Sequence, residues 1–316
     1  MIVTLTPNPG FDRTMLVERV EVGEVNRSLQ TTVEAGGKGI NVARALATAG
    51  LASTAVFPAN AADSAALRAL LEDHLGSMAV TVSPIAEAVR SNLSVIESDG
   101  TTTKFNEAGP TLSSDEVSAM VDATVDAATA SGAGWLASCG SVPAGCGDAF
   151  HAELVGALAD SAVRVAVDAS GAALVRAMEA GPALIKPNTS ELAEAVGATF
   201  TTVGDVVDAA TALVAGGIEQ VLVSMGSDGA LLVDSGGAIH AWSEPVEVRN
   251  TVGAGDAMLA GFLSAGGLGE NALRTAVAWG AAAVQSETTA FTPPAPGAGP
   301  EVTAGVPDRP TLLGDT

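Results

Sequence analysis

The 316-residue chain is poor in the residues from which many functional sites are built: it has two cysteines, three histidines and three lysines. Cys139 and Cys146 do not form a CxxC pair, and the histidines are scattered, so neither a metal-ligand cluster nor a disulfide framework is expected. Although 47% of the residues are hydrophobic, no uninterrupted apolar run reaches the length of a membrane-spanning helix. The opening MIVTLTPNPG lacks the basic start and small-residue cleavage site of a signal peptide and reads as a first β-strand. Positive charge is scarce as well: 14 basic against 36 acidic residues give a net charge of −22, which argues against nucleic acid or an anionic membrane as partners. A cytoplasmic protein acting on a small molecule is the expectation.

Organisation follows from hydrophobic periodicity. Short β-branched runs at 1–5, 53–57, 133–138, 163–168, 183–186 and 219–224 alternate with amphipathic stretches near 41–49, 63–75, 113–129, 147–160 and 203–216. That alternation predicts βαβ units around a mostly parallel sheet covered on both faces. Two regions break the rhythm. Residues 11–34 and 89–107 alternate apolar and polar positions, the second split by the turn signal Asp99-Gly100. They predict extra antiparallel strands, either a small side sheet serving as a lid or an edge hairpin of the main sheet. Helices are expected at 254–265 and 270–287. The Pro/Gly-rich segment 291–316 has no apolar period and is expected to lack structure. Without a repeat or a linker, 1–290 reads as one domain.

Two glycine clusters carry chemistry. The stretch NTVGAGDAMLAG, 250–261, is neither a GxxxxGK[ST] loop nor a GxGxxG fingerprint, since Met258 stands where the third glycine would fall. Small residues opening a helix still form an anion hole from backbone N–H groups and the positive end of the helix dipole. Asp256 in the first turn is either a capping acid or a general base set beside that hole, a role that contributes about 10²–10⁴ in rate. The second cluster, EAGGKGINVARAL at 34–46, is a strand-to-helix turn that lets a ligand approach the backbone. The three lysines, Lys38, Lys104 and Lys186, each lie in a segment distinguished on other grounds, although chance would also place them so.

Taken together, GGKGINVARAL and NTVGAGDAMLAGFL resemble the two signature regions of the PfkB (ribokinase-like) carbohydrate kinases. TPNPGFDRT, RSNL, TTTKFNEAGP, GSVPAG, KPNTSEL and VSMGSDGALLV fall in the family's order through nearly all of 1–290. The resemblance implies a ribokinase-like three-layer α/β/α sandwich with a small β-sheet lid, ATP and Mg²⁺ as cofactors, and a sugar phosphate as substrate. KFNEAG is most like the branch acting on fructose 1-phosphate, with tagatose 6-phosphate and fructose 6-phosphate as the substrates of sister branches. Relatives often form homodimers through the lid.

Carried over position by position, the resemblance makes Asp256 the base, with Gly253, Ala254 and Gly255 as the anion hole. Asp12, Gly36, Gly37, Lys38, Asn41 and Ser141 would meet the sugar. Arg90 and Lys104, facing each other across the hairpin with help from Arg27, would meet its phosphate. Lys186, Asn188, Ser224, Gly226, Ser227, Gly229 and Thr251 would line the nucleotide site, and Glu191 with Asn188 would hold Mg²⁺, Glu191 through water. A hydrated hard cation needs few protein ligands. Bland alternatives stand beside three of these: Glu191 as a first-turn helix acid, Arg90 as a solvated edge charge, Ser224 as a turn residue. Gly10, Ala108, Ala144 and Met225 depart from the family pattern without removing a chemical group. A ribose or nucleoside kinase would leave Arg90 and Lys104 without a phosphate; a non-catalytic sugar-phosphate sensor would not need Asp256; an oxidoreductase would need the missing dinucleotide fingerprint.

Overall fold

In the strand Gln220–Ser224, Val221 and Val223 enter one apolar cluster and Leu222 enters another on the opposite side. A strand's side chains alternate between faces, so a run that is apolar at every position must be covered twice. The computed structural model, which describes residues 1–286, 291–294, 300–311 and 313, shows how.

In chain order the strands are β1 Ile2–Leu5, β2 Gly10–Val17, β3 Gln30–Gly36, β4 Ser53–Ala59, β5 Met78–Pro84, β6 Arg90–Glu97, β7 Thr102–Phe105, β8 Trp135–Cys139, β9 Arg164–Asp168, β10 Leu184–Ile185, β11 Gln220–Ser224, β12 Ala230–Asp234, β13 Gly237–Ser243 and β14 Val302–Gly305. The helices are α1 Lys38–Thr48, α2 Ala61–Leu70, α3 Ser114–Ala130, α4 Phe150–Ala157, α5 Gly171–Glu179, α6 Thr189–Val196, α7 Val203–Ala215, α8 Ala254–Ser264 and α9 Gly269–Ala283.

The main sheet runs β14-β13-β12-β11-β10-β9-β8-β1-β4-β5, parallel from β11 to β5 and antiparallel from β12 outward. Buried side chains of α3 to α7 form the core on one face, those of α1, α8 and α9 the core on the other, and Leu67 of α2 packs with Ile40 and Ala43 of α1. This is a three-layer α/β/α sandwich. Helix starts follow local chemistry: Ser113 with Glu116, and Thr202 with Asp205, form reciprocal capping boxes at α3 and α7. Among the described residues no helix is long and apolar enough to cross a membrane.

The alternating regions 11–34 and 89–107 form a separate four-stranded sheet, ordered β3-β2-β6-β7, and not an edge of the main one. Its two hairpins are joined by a parallel pairing of β2 with β6, in which Gly10 lies opposite Arg90 and Asp12 opposite Asn92.

The segment from 291 corrects the expectation of no structure. β14 pairs with β13, Val302 and Ala304 pack onto the α9 side of the core, and Phe291 meets Trp279 edge-on at 6.1 Å. The period-2 pair Val302/Ala304 is short but sufficient, because β13 would otherwise present an open edge. Further on, the Gly204 N–H donates to the Arg309 carbonyl (2.9 Å) and Arg309 pairs with Asp208. The parts of that expectation at 295–299, 312 and 314–316, and the helix end expected at 287, lie outside the described residues.

Candidate functional site

Parallel strands end together at one edge of the sheet, and loops there converge on a crevice. Asp168 is the last residue of β9, Lys186 follows β10, and Gly140 and Ser141 follow β8. α1 starts at Lys38 and α8 at Ala254 on the same side, each after a glycine with positive φ, Gly37 and Gly253.

Asp168 is completely buried and holds two of the three lysines: Lys38 Nζ lies 2.7 Å from Oδ1 and Lys186 Nζ 2.9 Å from Oδ2. Burial alone would raise the Asp168 pKa, but the two ammonium groups outweigh it and hold the carboxyl below its ordinary value. Lys38 is driven up in turn, chiefly by Asp168.

Asp256, 6% exposed, sits in the first turn of α8. Its Oδ2 accepts from Asn41 Nδ2 at 2.8 Å. Burial, and next the negative charge of Asp168, push its pKa up to about 6, against the pull of Lys38, Asn41 and Lys186. A carboxylate with that pKa is a competent base near neutrality. Beside it, among the described residues, the Gly255 and Asp256 N–H groups meet no acceptor. Lys186 Nζ lies close enough that a Cβ on Gly255 would stand 3.3 Å from it. Open amides, a helix start and an ammonium group together can stabilise an anion.

The small sheet presents a polar face to this crevice. Register puts Gly10 and Asp12, Glu34 and Gly36, Arg90, Asn92 and Ser94, and Lys104 on that one face. The Asp12 carboxylate lies against Gly36 so closely that a Cβ there would stand 2.3 Å from Oδ2, and its Oδ1 accepts from Asn92 Nδ2 at 2.9 Å. Gly10 is explained the same way, since a Cβ would stand 2.6 Å from the Arg90 carbonyl oxygen. One expectation is corrected here. Lys104 lies opposite Ser94, not Arg90, because β7 is short and pairs only with the distal half of β6. Arg90 is half-buried, its pKa lowered by burial and raised by Asp12. Arg27 lies in the exposed segment between β2 and β3, and among the described residues it makes no hydrogen bond or ion pair with the other site residues.

On the remaining side, Asn188 and Glu191 cap α6 reciprocally: Glu191 N donates to Asn188 Oδ1 (2.8 Å) and Asn188 N to Glu191 Oε2 (2.9 Å). Oε1 of Glu191 stays outside the cap, 4.0 Å from Lys38 Nζ. Asn188 also bridges Ser224, which brings the KPN turn beside the turn carrying Gly226, Ser227 and Gly229. Thr251 accepts from the Ala254 N–H ahead of α8. Ser141 is exposed at the crevice, its Oγ 3.5 Å from Asn8 Nδ2.

The model for the pfkB family carbohydrate kinases matches residues 8–296. The chain belongs to this family. It is 37% identical over 278 residues to a 1-phosphofructokinase of Rhodobacter capsulatus, covering 87% of this chain and 86% of that protein. It is 36% identical to the ATP-dependent 6-phosphofructokinase isozyme 2 of Escherichia coli, covering 91% and 94%. Among solved structures, phosphofructokinase-2 from E. coli in complex with potassium superposes with a TM-score of 0.85 at 34% identity, covering 92% of this chain and 94% of that one.

Within this pfkB kinase, sequence reasoning missed two charged groups. Asp168 closes the run RVAVD, and an acid ending an apolar parallel strand is the available signal, since such strand ends line the crevice. Arg44 lies inside the motif NVARAL, yet it is 5% exposed and donates to Asn41 Oδ1 at 3.0 Å.

Proposed function

We propose that this pfkB-family phosphotransferase moves the γ-phosphoryl group of ATP to the 6-hydroxyl of fructose 1-phosphate, giving fructose 1,6-bisphosphate and ADP. The observation that carries the reading is the buried carboxylate of Asp256, raised to a pKa of about 6 beside two open backbone amides and Lys186. Asp256 takes the hydroxyl proton, the oxygen attacks the γ-phosphorus, and the bond to the β-phosphate bridging oxygen breaks. The Gly253-Ala254-Gly255 turn and Lys186 meet the charge in flight. Asp12, held by Asn92 against Gly36, binds sugar hydroxyls together with Asn41 and Ser141, and Arg90 and Lys104 bind the phosphate already on the sugar. Ser224, Gly226, Ser227, Gly229 and Thr251 line the nucleotide site. Mg²⁺ carried with the nucleotide would be held through its water shell by the open oxygen of Glu191, beside Asn188, and supplies neutralising charge to the phosphates. The small sheet acts as the lid, and its outer face, where Phe105 is exposed, is the surface for a homodimer.

The relatives named for fructose 1-phosphate support the substrate, and the E. coli isozyme 2 likeness favours fructose 6-phosphate as the second reading. Steady-state rates with Mg-ATP on fructose 1-phosphate, fructose 6-phosphate, tagatose 6-phosphate and fructose decide between them. Fructose 1-phosphate should have the highest kcat/KM, and a higher value for any other acceptor overturns the choice. Arg90→Ala should raise KM for the sugar phosphate and leave that for ATP; an equal rise in both removes Arg90 from the phosphate.

A further inference from the structure

An asparagine amide beside a carboxylate can help or harm it. Its nitrogen end donates, while its oxygen end repels. Asn41 meets Asp256 Oδ2 at 2.8 Å on one side and Arg44 Nη2 at 3.0 Å on the other. A guanidinium group has donors and no acceptor, so the end of Asn41 that faces Arg44 must be the oxygen. The nitrogen is then forced toward Asp256. Arg44 is itself held from the far side, its Nη1 3.7 Å from Glu34 Oε1, and Glu34 belongs to β3 of the small sheet. Glu34, Arg44, Asn41 and Asp256 thus form a continuous polar chain from the small sheet to the start of α8.

We propose that Arg44 is a positioning residue for the base: it sets the orientation of the Asn41 amide, which pins Oδ2 of Asp256 and leaves Oδ1 to receive the proton of the attacking hydroxyl. Among the described residues no hydrogen bond or ion pair reaches Oδ1. The chain also joins the base to the sheet that carries Asp12 and Arg90, so a shift of that sheet at Glu34 reaches the base through two side chains. The proposal rests on Asp256 being the base.

Other charges face the two ends of the chain and set the background for any pH measurement. Around Asp256 these are Asp168 of β9, Lys38 of α1, Lys186 after β10, and the Cys139 thiol of β8. Around Arg44 they are Glu34, Asp12 and His74, besides Asp256 itself. Arg44 substitution leaves all of these groups in place.

The test is the pH dependence of kcat for the wild type, Arg44→Met and Arg44→Lys, on whichever sugar phosphate the wild type turns over, with KM for both substrates and thermal melting recorded alongside. Methionine keeps bulk and loses every donor. Lysine, a donor without an acceptor, can still select the Asn41 oxygen. Arg44→Met should lose about tenfold or more in kcat, the effect of one charged hydrogen bond on the reacting group. Its acid limb should move to higher pH, its KM for ATP should stay put, and Arg44→Lys should recover most of the loss. An acid limb that stays at the wild-type pH in Arg44→Met, or equal losses in the two variants, overturns the proposal. If Arg44→Met does not fold, Glu34→Gln takes its place: a raised acid limb supports the chain, and an unmoved one overturns it. Asp256→Asn is run in parallel. Full turnover in that variant refutes the base assignment itself, whereas a dead Asp256→Asn beside a normal Arg44→Met refutes only the positioning role.

Discussion

Replacing Asp256 by asparagine should make the protein more stable while making it a far poorer catalyst. The carboxyl is 6% exposed and its pKa stands at about 6, raised from 3.8 by burial and by Asp168. The native state therefore binds the Asp256 proton more tightly than the unfolded chain does. Below about pH 4 both states hold it and the residue imposes no penalty. As pH climbs from about 4 to about 6, the unfolded chain ionises freely while the native one resists, and stability is lost. Above pH 6 the loss is complete, about 2–3 kcal/mol. Asparagine is neutral, fits the same space, and keeps an amide oxygen for the Asn41 donor. Urea unfolding at pH 7.5 should show the variant about 2–3 kcal/mol more stable than the wild type, and at pH 4 the difference should vanish. Turnover should fall by about 10² or more. A variant that is less stable at pH 7.5, or stabilised equally at both pH values, would show that Asp256 is not held under electrostatic strain.

Asp168→Asn leaves Lys38 and Lys186 facing a neutral amide, and with Lys186 buried it should destabilise by about 3–5 kcal/mol, read from denaturant midpoints; a neutral effect would mean the lysines find other partners. Gly36→Ala drives a Cβ to within 2.3 Å of Asp12 Oδ2. KM for the sugar phosphate should rise about tenfold or more with KM for ATP unchanged, and a rise in the ATP value alone would place Asp12 away from the sugar. His151 is buried between Ser138 Oγ and the Gly140 carbonyl, and burial pushes its pKa from 6.5 down to about 4. It stays neutral in the native state while the unfolded chain takes up a proton, so stability should fall as pH drops from about 6.5 to about 4. His151→Gln should flatten that part of the profile, and an unchanged slope would mean the imidazole is charged where it sits.

What could be read in the sequence tracks the physical range of each signal. Helices α3 and α7 announce themselves through capping residues three apart, and the strand runs through β-branched clusters at the parallel core. β12 and β13 went unread because they form an antiparallel hairpin outside the strand–helix alternation, although α7 and α9 cover them as other helices cover the parallel strands, and β14 because two apolar residues in a Pro/Gly-rich stretch carry little pattern. The parallel joining of β2 to β6 cannot appear in any local window, since 80 residues separate Gly10 from its partner Arg90. At the site, Asp256, Lys38, Asn41 and Lys186 lie in motifs with unusual local composition. Asp168 and Arg44 do not: one looks like the end of a strand and the other like a polar residue on a helix. Both are identified by what surrounds them in space. Glu191 was legible in two ways, as a first-turn helix acid and, with Asn188, as a site for a hydrated cation, and the hydrogen bonds display a reciprocal cap between the two.

The commitment of two lysines to one buried aspartate has a practical corollary for labelling. Lys38 and Lys186 are tied up with Asp168, whereas Lys104 stands exposed on the edge strand of the small sheet. With no fourth lysine in the chain, Lys104 is the one lysine that, among the described residues, has no carboxylate within ion-pair reach, so an amine-directed reagent should modify it ahead of Lys38 and Lys186. Because Lys104 is a group assigned to the sugar's phosphate, its modification should slow when a sugar phosphate is bound, and that protection makes the unlabelled protein its own reporter of substrate arrival at the small sheet.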